Sequence, residues 1–246
     1  MVWPAEAWWL LPCAFAAEVI GTMAGFGAAT ILTPVAALFV DIKPAIALVA
    51  LFHLLGNASR LVFFGRAVRW RIWALFGVTG VACSLLGARV SAQMPSSTVS
   101  AVFGAFLLLY VVLSLSPLGR RPLPATSATL LGGGVGSGFI AGLIGTGGAV
   151  RSACLLAFQL PKDAYLGTSA AIALVVDATR LPIYAGSGFL SGVPAGFIAG
   201  LIPSAFAGAW TGQRLVRRIS PEAFRTFVLA LLGLMGVKML WDGWHG

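Results

Sequence analysis

Apolar positions along the chain gather into eight runs, near 5–40, 44–65, 72–93, 97–118, 124–160, 164–185, 190–213 and 221–241. Six are close to the roughly 20 residues that one helix needs to cross about 30 Å of hydrocarbon. Runs 5–40 and 124–160 are longer, about 36 residues each, and as single helices would reach roughly 54 Å. Each holds a glycine break near its middle, Gly25-Phe26-Gly27 in one and Gly145-Thr146-Gly147-Gly148 in the other. The pattern predicts two helices, or a re-entrant pair, in each long run. The expected fold class is an all-α polytopic membrane protein.

The two breaks belong to an internal repeat. A shift of 120 residues lays Gly25 on Gly145, Gly27 on Gly147, Asn57 on Asp177, Arg60 on Arg180 and Leu61 on Leu181. Later in each half a small gap is needed, because Pro95 and Pro221 are 126 apart. The chain therefore divides into a first transmembrane repeat, 1–118, a linker, 119–123, and a second repeat, 124–246. Charge orients the two halves. Arg66, Arg69 and Arg71 follow the second run, while in the other half the stretch 186–197 is uncharged and Arg214, Arg217 and Arg218 come one loop later. An odd number of passes per half, five with each long run counted as two helices, puts 66–71, 119–122 and 214–218 all in the cytoplasm and both termini outside. Inverted repeats follow, a common plan for secondary transporters.

Composition narrows the class. Hydrophobic residues make up 59% of the chain and charged residues only 9%, with a mean hydropathy of +0.96. Soluble domains carry about 25% charge, so a soluble enzyme, a disordered tail and a nucleic-acid-binding domain are excluded. The net charge of +9 lies mostly in short stretches between apolar runs, as the positive-inside rule requires, and leaves no basic surface domain for nucleic acid. Cys13, Cys83 and Cys154 lie within apolar runs without paired spacing and read as small buried residues. No basic residue precedes the first apolar run, so it reads as a retained helix. Trp3, Trp8, Trp9, Trp70, Trp73, Trp241 and Trp244 fall at run ends, where indole suits the headgroup boundary.

Broken helices expose backbone groups that a membrane tolerates only where protein or a water-filled cavity satisfies them. Half-helix N-termini carry partial positive charge, so such a break is a ready anion site. Arg151 sits three residues after Gly148, a full cation in the first turn beyond the second break. That placement opposes the helix dipole, and a bound anion is its expected partner; pairing with Glu18 or Asp177, or snorkelling, is the competing account. Arg60 and Arg180 are equivalents, suited to two gates, although Arg60 can snorkel and Arg180 can pair with Asp177 three residues earlier. Glu18, His53 and Asp177 are the titratable groups well inside apolar runs and the candidates for proton coupling. Asn57, Thr168 and Ser169 are further candidates to hold oxyanion oxygens, as are the residues of both breaks. Gly145 to Ser152 reads GTGGAVRS, without the lysine of a phosphate loop, and no HExxH, paired Cys/His set or serine elbow occurs. Neither a metal nor another cofactor is expected.

The chain resembles the TauE/SafE sulfite exporters, also called four-toluene sulfonate uptake permeases, over nearly its whole length. The resemblance is carried by the duplication, by Gly21-Thr22-Met23-Ala24-Gly25-Phe26-Gly27 with Pro34 after it, and by Gly142-Leu143-Ile144-Gly145-Thr146-Gly147-Gly148. The helices from Ala45 to Arg60 and from Gly167-Thr168-Ser169-Ala170 to Arg180 are also similar. The first break reads GFGAATILTP, without the denser glycine cluster of the second, so the two half-sites need not be equivalent. The resemblance implies a bacterial cytoplasmic-membrane carrier of small, usually sulfur-containing anions such as sulfite or organosulfonates. The expected function is a secondary transporter working by alternating access and coupled to protons. An anion channel with the same site and a membrane-embedded enzyme or assembly factor using His53 and Asp177 are the alternatives. Expected partners are a small anion, the lipid bilayer and protons; the oligomeric state, a homodimer included, stays open.

Overall fold

A computed structural model describes residues 3–24, 28–117, 119, 122–215 and 221–245. The described residues form ten α-helices: α1 (Leu10–Ala24), α2 (Ala29–Ala36), α3 (Ile42–Phe64), α4 (Trp70–Gln93), α5 (Ser96–Leu115), α6 (Ser127–Ile144), α7 (Gly148–Leu156), α8 (Lys162–Gly186), α9 (Ala195–Leu215) and α10 (Pro221–His245). Short 3-10 turns precede α1 and follow α3. Among the described residues, seven helices are long and apolar enough to cross a membrane, the three others being α1, α2 and α7. Both long runs are divided as expected. Their second pieces are short, however: α7 has nine residues, which span only roughly 13 Å.

Local chemistry marks several boundaries. Asp41 caps α3 by accepting the Lys43 N–H at 3.0 Å, and Thr126 caps α6 by accepting from the Thr129 N–H at 3.2 Å. The sharpest stop is at the end of α6. Gly145 adopts φ +84°, a left-handed conformation that disfavours side chains, and its N–H bonds to Ala141 O. Its N–H is thus satisfied while the chain reverses. Ser137 Oγ then donates to Gly147 O at 2.8 Å, and Gly133 lies against Cys154. Since 137 faces 147 and 133 faces 154, α7 runs back along α6 as a hairpin.

Close packing sets the remaining directions. Gly134, Gly138 and Gly142, four residues apart on one face of α6, press on Phe76, Gly80 and Ser84 of α4, so these helices are parallel. A Cβ at Gly138 would collide with the carbonyl of Gly80, the kind of approach small residues permit in membranes. Gly138→Ala is therefore expected to destabilise the protein by about 1–3 kcal/mol, the usual range for overpacking. A wild-type thermal midpoint in detergent would refute that. On α9, Gly200, Gly208 and Gly212 meet Leu11, Phe15 and Val19 of α1, again in parallel. In contrast, α3 and α8 are antiparallel, with His53 beside Asp177 and Phe64 beside Gly167. So are α5 and α10, through Gly104 with Gly236 and Ala101 with Gly243.

With the short turns between neighbours, α1, α3, α5 and α9 run one way and α4, α6, α8 and α10 the other. Between parallel α1 and α3 the chain must return, and α2 does so: Leu32 and Ala36 line the same small apolar hollow as Leu10 and Ala14. Exposed Trp9, Trp70, Trp210, Trp241 and Trp244 lie on the outer surface near helix ends, as an interfacial belt requires.

Candidate functional site

The two hairpins meet. Thr30, in the first turn of α2, and Thr146, in the second break, share a hydrogen bond of 2.7 Å between hydroxyls. Gly25, Phe26 and Gly27 of the first break lie outside the described residues. Around this contact sit the buried ionisable side chains: Glu18, His53, Arg60, Arg151, Asp177 and Arg180. None is more than 8% exposed, so the cluster is closed from both ends. Two hollows at one end of the bundle, one of them about 420 Å³ and lined in part by Asp41, Ser96 and Asp242, contain none of these residues.

Each core helix holds its own hairpin through an arginine. Arg60 on α3 pairs with Glu18 on α1, donates to Thr22 Oγ1 at 3.0 Å and reaches Asn57 Oδ1 at 3.2 Å. It does not snorkel; the carboxylate brought by α1 keeps it inside. Asn57 also donates to His53 O at 2.8 Å, so both ends of its amide are occupied. Arg180 on α8 pairs with Asp177 at 2.6 Å, as their spacing allowed. Its two terminal nitrogens donate to Ala141 O, which also accepts the Gly145 N–H, and to Gly145 O at the end of α6. Tyr184, one turn further, donates to Gly142 O at 2.5 Å. These bonds hold three carbonyls at the end of α6, those of Ala141, Gly142 and Gly145.

Asp177 also faces His53, whose Nδ1 lies 2.8 Å from Oδ2. The carboxylate paired with Arg180 accepts, so Nδ1 donates to it and Nε2 is the ring nitrogen left for a further partner. Among the described residues that Nε2 is buried and without a partner, as is Glu18 Oε2.

Arg151 differs from the other two arginines. Its Nε donates to Ser169 Oγ at 3.0 Å, and among the described residues no carboxylate lies within ion-pairing distance of its guanidinium. Both buried acids are already taken, Glu18 by Arg60 and Asp177 by Arg180. Arg151 nevertheless lies within electrostatic reach of Asp177, Arg60 and Arg180. Three arginines against two carboxylates leave the cluster with one excess positive charge at the second break. Thr168 stands apart from this set, since its hydroxyl accepts the Arg69 N–H at 2.9 Å and joins α8 to the loop before α4. No group of His, Cys, Asp and Glu suited to a metal ion occurs among the described residues.

Sequence reasoning missed Thr22, Thr30 and Tyr184, and it missed Glu18 as the partner of Arg60. Counting buried charges offered a signal for the last of these, because three arginines deep in apolar runs need acids that only Glu18 and Asp177 supply.

Apolar spanning helices, a hairpin break within the bundle and a closed, positively biased polar cluster define a multi-pass membrane protein with a buried polar centre. The family model described as Sulfite exporter TauE/SafE matches residues 10–239, and the chain belongs to that family. It is a membrane transporter. "Probable membrane transporter protein YunE" of Bacillus subtilis (strain 168) is 24% identical over 263 aligned residues, which cover 92% of this chain and 94% of that relative. No solved structure matches the chain.

Proposed function

We propose that this transporter is a secondary carrier that moves a small, sulfur-containing anion such as sulfite or an organosulfonate across the bacterial cytoplasmic membrane by alternating access, coupled to protons. One observation carries the reading: Arg151 is buried at a helix break and has no carboxylate partner among the described residues. A lone cation at that depth is costly, and an anion bound beside Ser169 and the hairpin tip compensates it. Thr146, Gly147 and Gly148 would line the same place, and Gly25, Phe26 and Gly27 are proposed as further anion ligands. Membership of a family described as sulfite exporters supports the substrate class.

The opposed directions of α1 and α6, α3 and α8, α4 and α9, and α5 and α10 support two inverted repeats, 1–118 and 124–246, joined by the linker 119–123. In this reading Arg60 and Arg180 sit on opposite sides of the midplane and hold the two gates shut. The loops at 66–71, 119–122 and 214–218 face the cytoplasm. Single cysteines replacing Arg120 and Gly188 are expected to react with impermeant maleimide from opposite sides of the membrane. Labelling from the same side would undo the inverted arrangement.

The test of function is flux. Labelled sulfite and a panel of small sulfonates are offered to proteoliposomes with and without a pH gradient, against empty vesicles. Saturable uptake that the gradient drives is the expected result. Sustained unitary currents in planar bilayers, without counterflow exchange, would replace the carrier by a channel.

A further inference from the structure

We propose that the central cluster takes up a doubly charged oxyanion together with one proton, which is shared between an anion oxygen and His53 Nε2. This rests on Arg151 being the anion's partner and adds the valence of the anion and the place of the proton. Charge counting leads to it. Among the described residues Glu18 cancels Arg60, Asp177 cancels Arg180, and Arg151 remains, so with His53 counted as uncharged the cluster carries one positive charge. A dianion alone would leave a net negative charge buried, which is unfavourable in a low-dielectric interior. One added proton restores neutrality.

The structure offers one nitrogen suited to that proton. Nδ1 of His53 is committed to Asp177, and Nε2 is buried with no hydrogen-bond partner among the described residues. The elements packed against α3 supply no competing base at that depth. From α8 come Asp177 and Arg180, already paired with each other, and two tyrosines, Tyr165 bonded to Ser152 and Tyr184 to Gly142 O. Nothing titratable comes from α2, and α5 brings only Tyr110. Described α9 and the turn after α3 bring Arg214 and Arg66, both near helix ends. On α3 itself Arg60 is held by Glu18 of α1. Glu18 Oε2 also lacks a partner, but its carboxylate is needed as an anion by Arg60. A permanently monovalent sulfonate neutralises Arg151 by itself and brings no O–H to satisfy Nε2.

The experiment is a calorimetric titration of the full chain in nanodiscs at about pH 8.5, repeated in buffers of different ionisation enthalpy. The probes are sulfite, a dianion in bulk at that pH, and methanesulfonate, a monoanion of similar size. Sulfite binding is expected to take up about one proton per anion and methanesulfonate none, the linkage that a proton held only in the complex demands. His53→Gln keeps an amide donor for Asp177 and removes the basic nitrogen. In that variant, shown folded by size exclusion and thermal unfolding, the proton uptake with sulfite should vanish and sulfite affinity should fall at least about tenfold, near 1.4 kcal/mol. Should the variant not fold, the two proton counts in the unaltered protein decide. Equal counts for both anions, or sulfite-linked uptake surviving in His53→Gln, would overturn the proposal and leave the Arg151 reading intact. Binding of neither anion would overturn both.

Discussion

Arg151→Gln is expected to abolish saturable anion flux while making the empty protein more stable. The two effects share one cause. The guanidinium is buried with Ser169 as its hydrogen-bonded partner and, among the described residues, no carboxylate within ion-pairing distance, so its removal relieves a desolvation cost. With anion present the same charge is the attraction. Losing one member of a buried, hydrogen-bonded charge pair costs about 2–5 kcal/mol of binding, a loss of roughly thirty-fold to several thousand-fold in affinity. Glutamine still reaches Ser169 Oγ, so packing is largely kept. Unfolding followed with and without sulfite separates the terms: the unaltered protein should gain stability with added anion, whereas the variant should start higher and gain nothing. A variant that is less stable when empty, yet still stabilised by sulfite, would show that Arg151 is structural.

Glu18→Ala should produce the largest loss of stability. Glu18 is fully buried and pairs with Arg60, which also draws on Thr22 and Asn57. Deleting the carboxylate strands a guanidinium inside the bundle, and breaking a buried pair from one side costs about 3–5 kcal/mol. The double variant Glu18→Leu with Arg60→Met removes both charges and is expected to recover most of that loss. Denaturant unfolding in detergent checks the pair. A single variant as stable as the double one would mean that Arg60 finds another anion, and the hairpin tie would have to be withdrawn.

Much of the fold was legible because membrane helices announce themselves by length. The run near 72–93 became α4 at Trp70–Gln93, and that near 164–185 became α8 at Lys162–Gly186. The second break was legible too, since Gly145 occupies a backbone conformation that few other residues accept. The shortness of α2 and α7 was not, because apolar residues continue through the turns that end them. Side-chain pairing was legible only within one helix, as for Asp177 and Arg180. Glu18 with Arg60, and His53 with Asp177, join residues 42 and 124 positions apart. Such contacts depend on how two helices are rotated against each other, and hydropathy is blind to rotation. Thr30 illustrates the same limit, a hydroxyl of no distinction in sequence that meets Thr146 of the second break where two hairpins touch.

The parallel seating of α1 on α9 has a consequence for how the protein is made. Residues 10–24 leave the ribosome about 185 residues before their partner helix begins, which at 5–20 residues per second is a wait of roughly 10–40 s. During that interval the first helix presents Glu18 to lipid until α3 delivers Arg60, and its seam for Gly200, Gly208 and Gly212 stays uncovered throughout. The amino-terminal half is thus the natural client of whatever insertase or chaperone attends synthesis. Expressed without its carboxy-terminal half, it has no route to a finished structure.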